Sequence, residues 1–349
     1  RLTDVTGVQT CALPICGRGC EGKEIRLMEK YHYLLFHNLP YDYKQELPIQ
    51  LAGDVELVQP PHEILKKETD GYWNKEEYRS LVNSILPKYD LPNGGNHCCF
   101  RIKEPLSYLG KIQFRTLFFN NLTAFRLWKP LYIFIAGEFT YESEEEPIRN
   151  DHYHGMKSIW NPIQGESYTY QDIIMVNEIG GILCGDILLK YPRFNSALTL
   201  FSQITNGWTR SFQMAYLGLF AVLEGLFWYE GRNKGGTLSV RVSNFLSSVE
   251  WNHKFTLKDF VRNEYRTRND ITHGGYSVDP KVELSDEKKT CFGRLHEITR
   301  LCILGMLSLD EESLHSIFIQ NGEITQKCLD TLEPAKGKYF NGQRLWLNQ

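Results

Sequence analysis

A chain of 349 residues is about the length of two ordinary domains, and 42% hydrophobic against 23% charged residues places it among packed globular proteins rather than disordered ones. The formal net charge of -3 excludes a globally basic nucleic-acid binder, so any contact with RNA or DNA falls to a local patch. The longest apolar stretch, 214–229, is interrupted by Glu224 and short for a bilayer, so no membrane contact is expected.

The first stretch is foreign to the fold. Residues 5–15, Val5-Thr6-Gly7-Val8-Gln9-Thr10-Cys11-Ala12-Leu13-Pro14-Ile15, resemble the in-frame translation of a sequencing-library adapter, and residues 1–20 are set aside as a leader artefact. With them go Cys11, Cys16, Cys20 and the short apolar run that would otherwise suggest a signal peptide. Cys98, Cys99, Cys184, Cys291, Cys302 and Cys328 remain, scattered and without a C-x-x-C pair, which is the usage of a reduced, cytoplasmic protein.

Residues 21–165 read as an α+β domain. Tyr33-Leu34-Leu35-Phe36, Ile49-Gln50-Leu51 and Val55-Glu56-Leu57-Val58 are short strands between Pro and Gly-Asp turns. Helices are expected over 74–86, capped by Asn74, and over 106–127, followed by a buried strand at 131–135. The acidic, proline-ended run at 142–147 is a surface loop, and the stretch to about 171 a junction. Beyond it the pattern is helical, with candidates over 172–191, 194–205, 209–230, 238–249, 256–273, 285–309, 313–320 and 324–332. Residues 170–333 are thus an all-α bundle and 334–349 a tail.

The chemistry concentrates at one helix end. Thr256 with Asp259 caps the start of the 256–273 helix, and Gly274-Gly275 ends it. Arg268 offers a fork for phosphate, and His273 in the last turn moves protons near neutral pH. Asn269, at i−4 from His273, is placed to orient the imidazole, with Asp270 at i−3 as a second partner. Arg268 and His273 lie about 140° apart around one helix, so a second copy across a two-fold axis would assemble both in one cleft. Lys258, Arg262 and Arg266, at i, i+4 and i+8, form a basic stripe for a phosphate backbone, or a solvated face balanced by Asp259 and Glu264.

Other clusters carry less. His152 and His154 with Asp151, which His97-Cys98-Cys99 could join, lack zinc spacing and read as polar loop, so no metal is expected. Phosphate-binding glycine loops, G-x-S-x-G and H-E-x-x-H are all absent.

The string Arg268-Asn269-Asp270-Ile271-Thr272-His273 resembles the signature of HEPN domains, an arginine, a polar residue and a histidine a few positions on. Phe220-Ala221-Val222-Leu223-Glu224-Gly225-Leu226-Phe227 resembles the first core helix of the Apea-like branch, Ser239-Val240-Arg241-Val242 the next, and Arg268 to Gly275 its ending. The likeness covers about residues 190–310. It implies a HEPN-like bundle and a homodimeric, metal-independent endoribonuclease of prokaryotic defence or toxin type, with no cofactor and with an antitoxin or regulator as partner. It also implies the roles. His273 would be the general base or acid, Arg268 the group that stabilises the pentavalent phosphate, Asn269 and Asp270 supporting residues, and Glu224 the acid of the earlier helix. Since some HEPN domains only bind, the competing expectation is a noncatalytic module for nucleic acid or a partner protein.

Overall fold

In a computed structural model of the chain, the residues described are 30–39, 47–72, 98–103, 108–131, 133–142, 147–152, 167–205, 211–227, 233–247, 249, 251, 253–274, 286–320, 324–330 and 332. The leader over 1–20, the helix expected at 74–86, His97, His154, Gly275 and the tail at 334–349 lie outside them. The described part is mostly helical, with one antiparallel sheet.

Six strands, β1 (Lys30–Asn38), β2 (Ile49–Gln50), β3 (Glu56–Val58), β4 (Cys98–Lys103), β5 (Phe134–Glu142) and β6 (Ile148–His152), pair in the order β2-β3-β4-β1-β5-β6. β1 lies at the centre, with Leu34 opposite Phe100 on one side and Glu138 on the other. Its run Tyr33-Leu34-Leu35-Phe36 is apolar at every position because both faces of the sheet are covered. Leu34 and Phe36 enter the main core, whereas Tyr33 and Leu35 join Val58, Cys99, Phe139 and Ile64 in a smaller cluster on the other face. Ile64 belongs to α1 (His62–Tyr72), whose first turn uses the Pro61 carbonyl as acceptor for Ile64 and Leu65.

Three expectations for this half are corrected. Cys98 and Cys99 are not a polar loop; they open β4, with their side chains buried on opposite faces of the sheet. The strand expected at 131–135 starts later, at Phe134. The Leu131 amide is held in a turn by the Lys129 carbonyl at 2.7 Å, and the Ile133 carbonyl is taken by Arg126 at 3.1 Å. The stretch after Pro147, read as junction, supplies the edge strand β6.

α2 (Tyr108–Trp128) lies on the main-core face of the sheet, with Phe118 and Phe125 packed on Phe100. Carbonyls at and just beyond its C-terminal end are met by side chains from elsewhere in the chain. The Tyr168 hydroxyl donates to the carbonyls of Phe125 and Lys129, and the Arg300 guanidinium donates to those of Leu127 and Trp128. A cation at a helix C-terminus also meets the negative end of the dipole. Arg300 is fully buried and is neutralised by the equally buried Glu297 through a two-pronged contact.

Seven further helices follow: α3 (Tyr170–Cys184), α4 (Ile187–Lys190), α5 (Pro192–Thr205), α6 (Phe212–Leu226), α7 (Lys234–Phe245), α8 (Leu257–Thr272) and α9 (Asp286–Leu307), then α10 (Glu311–Phe318) and a short helical turn over 326–330. The single helix expected over 172–191 is broken where Gly185 turns to an extended ψ of -164° and ends the i−4 ladder. Buried side chains on both sides of the 165–170 stretch belong to one continuous hydrophobic cluster, from Leu34 to Leu332. Among the described residues, no helix is long and apolar enough to cross a membrane.

Candidate functional site

α8 is capped as its sequence dictates. The Asp259 amide donates to Thr256 Oγ1 at 3.1 Å, and that hydroxyl donates to the Asp259 carboxylate at 2.7 Å. At the other end the His273 amide reaches the Asn269 carbonyl at 2.9 Å, and Gly274 takes φ +73°. That left-handed conformation suits glycine and stops the helix.

Leu257, Phe260, Val261 and Tyr265 bury one face of α8. Val261 and Arg268 are seven residues apart, about two turns, so Arg268 points to the same inward side. There it lies over the Tyr265 ring, 5.3 Å from its centroid, with Nη2 3.7 Å from Glu224 of α6. Tyr265 donates its hydroxyl to Glu224 at 2.7 Å; burial and that carboxylate push the phenol up to about 12. Arg268 Nη1 donates to Asn269 Oδ1 at 3.2 Å, and its buried Nε has no hydrogen-bond partner among the described residues. Gly235 in α7 lets that helix close on the group, since a Cβ there would lie 2.6 Å from the Tyr265 ring.

The outward face is different. Lys258, Arg262, Arg266 and His273 are all exposed or half-exposed, and no carboxylate among the described residues lies within ion-pair distance of the three cations. The two acids expected to balance them are used elsewhere. Asp259 serves the cap, and Glu264 accepts a hydrogen bond from Tyr216 in α6. Burial raises the Glu264 carboxyl above its ordinary value despite that bond, and the nearby Cys291 thiol is pushed up to about 11 by burial and by Glu264.

The structure therefore divides the expected set. Arg268, Glu224 and Asn269 come together, joined by Tyr265, which sequence spacing does not single out although it stands three residues before Arg268. His273 stands apart from them with the basic stripe. Asn269 does not orient His273 as its i−4 spacing suggests; its side-chain oxygen is taken by Arg268, whose guanidinium reaches it from the adjacent residue. The His273 imidazole makes no hydrogen bond among the described residues to Asn269 or to the exposed Asp270.

Elsewhere, a cavity of about 590 Å³ opens between α2, the end of α3 and α5, lined in part by Asn120, Thr123, Cys184, Leu198 and Ser202. Asn120 is tied to the Leu183 carbonyl and Thr123 to Ser202, and burial raises the Cys184 thiol away from its reactive form. No group of three or more His, Cys, Asp or Glu side chains is placed to hold a metal among the described residues. Compared with protein-family models, with curated proteins and with solved structures, the chain matches none.

Proposed function

We propose that the helical part is a HEPN-like bundle that binds RNA along α8 and cleaves it without a metal, as a cytoplasmic homodimer under the control of an antitoxin or regulatory partner. The observation that carries this reading is the outward face of α8, where three cations without a described carboxylate partner lead to an exposed imidazole that makes no hydrogen bond among the described residues. Phosphates are drawn to such a stripe irrespective of sequence. A free imidazole beside a bound ribose can take the 2′-OH proton near neutral pH.

In that step O2′ forms a bond to the adjacent phosphorus while the bond to the 5′ oxygen breaks. The 5′ oxygen leaves with a proton from the imidazolium or from water. The products are a 2′,3′-cyclic phosphate and a 5′-hydroxyl. A cation close to the phosphorane oxygens lowers the barrier, the role that the resemblance gives to Arg268.

A second reading is a noncatalytic nucleic-acid or protein-binding module, favoured by the inward commitment of Arg268 to Glu224, Tyr265 and Asn269. One assay separates the two. Purified wild type and His273→Ala are incubated with end-labelled RNA, and RNA integrity is followed in cells expressing each. Cleavage by wild type alone, leaving cyclic-phosphate ends, supports the enzyme. Intact RNA with both, but equal binding, supports the module.

A further inference from the structure

Seven residues, about two turns, separate Arg266 in α8 from His273, the residue that caps its C-terminal end, so His273 leaves the helix on the side that Arg266 lines. Both are exposed, and Arg266 has no described carboxylate partner. Asn269 sits between them, three residues after the one and four before the other. Arg268 has the opposite surroundings, on the line of buried Val261 and engaged by three neighbours.

We infer that Arg266, rather than Arg268, is the arginine that meets the scissile phosphate beside His273, and that Arg268 is a positioning residue acting through Asn269. The inference rests on the ribonuclease reading above. By holding Asn269 Oδ1 at 3.2 Å, Arg268 fixes which end of the carboxamide is turned inward. The amide NH2 is then the donor offered to a phosphate seated between Arg266 and His273. All three groups that touch the substrate come from one chain.

The test compares wild type, Arg266→Ala, Arg266→Lys, Arg268→Ala, Asn269→Ala and the Arg268→Ala/Asn269→Ala double variant. Each is assayed for kcat and KM on a fluorogenic RNA oligonucleotide, for binding of its uncleavable 2′-deoxy analogue, and for Tm. Arg266→Ala is expected to lower kcat about 100-fold at unchanged Tm, with partial recovery in Arg266→Lys. Arg268→Ala and Asn269→Ala are each expected to lose about tenfold in kcat, and the double variant no more than either, as two residues of one path do. Mixing Arg268→Ala with His273→Ala protein should restore nothing.

If Arg268→Ala abolishes kcat with its fold intact while Arg266→Ala stays within a few-fold of wild type, the inference is overturned and the ribonuclease reading stands. The inference is likewise overturned if the mixed proteins regain activity, because the motif arginine then works across two chains. If wild type and His273→Ala leave RNA equally intact, the ribonuclease reading falls and takes the inference with it.

Discussion

Tyr265 donates its hydroxyl to Glu224 at 2.7 Å while its ring supports Arg268, so one aromatic side chain ties α8 to α6 through an acid and a cation together. The helix pair is joined at the arginine to which the resemblance gives a catalytic role.

Removing only the hydroxyl tests that tie. Tyr265→Phe keeps the ring under Arg268 and is expected to cost about 1 kcal/mol, since Glu224 is partly exposed and water replaces some of the lost bond. Urea unfolding measures it. A change within experimental error would mean that the contact adds nothing to the packing of α8 on α6.

Glu264 gives a pH-dependent signature. Burial raises its carboxyl in the folded chain, and the opposing bonds from Tyr216 and Cys291 do not cancel the effect. The folded state therefore binds the proton more tightly than the unfolded chain. This contribution to stability is present below the ordinary carboxyl range and is lost as pH rises through the raised value. Glu264→Gln still accepts from Tyr216 but cannot ionise. Its Tm relative to wild type should climb as pH rises above the ordinary carboxyl range, whereas a difference independent of pH would refute the assignment.

Arg300 and Glu297 form a fully buried pair at the end of α2. Burial alone would raise the Glu297 carboxyl, but the Arg300 guanidinium overrides it and holds the group below its usual range. Arg300→Met leaves an uncompensated charge and frees the Leu127 and Trp128 carbonyls. A loss of about 3–5 kcal/mol is expected in chemical denaturation. The double variant Glu297→Gln/Arg300→Met should lose less, and a double loss as large as the single one would count against charge burial as the cause.

The basic stripe predicts an electrostatic mode of RNA binding. Lys258→Ala and Arg262→Ala should each weaken binding of unrelated RNA sequences to a similar extent. Each should also reduce the slope of log K against log salt by about 1. Fluorescence anisotropy across a salt series reads both. Unchanged slopes would remove these side chains from the interface.

Much of the helical part is legible from residues alone. Thr256, Asp259 and Gly274 act through bonds and dihedrals within a few positions of themselves, so the ends of α8 are readable to within a residue. The start of α6 is also close to its expected place, with Ser211 accepting from the Met214 amide as its cap. β4 is not legible. Cys98-Cys99-Phe100 is buried on both faces of a sheet, and without alternation a short apolar run carries no period by which to recognise a strand.

Which residues share a line of α8 follows from their spacing alone, because 3.6 residues per turn is a property of the helix and not of its surroundings. Lys258, Arg262, Arg266 and His273 could be placed on neighbouring lines before any fold was known. Which line faces inward, and what Arg268 meets there, depends on the packing of helices far apart in the chain. Its acid, Glu224, lies on another helix, and its aromatic support is locked to that acid. Such contacts depend on how α6 and α8 pack, which local periodicity does not encode.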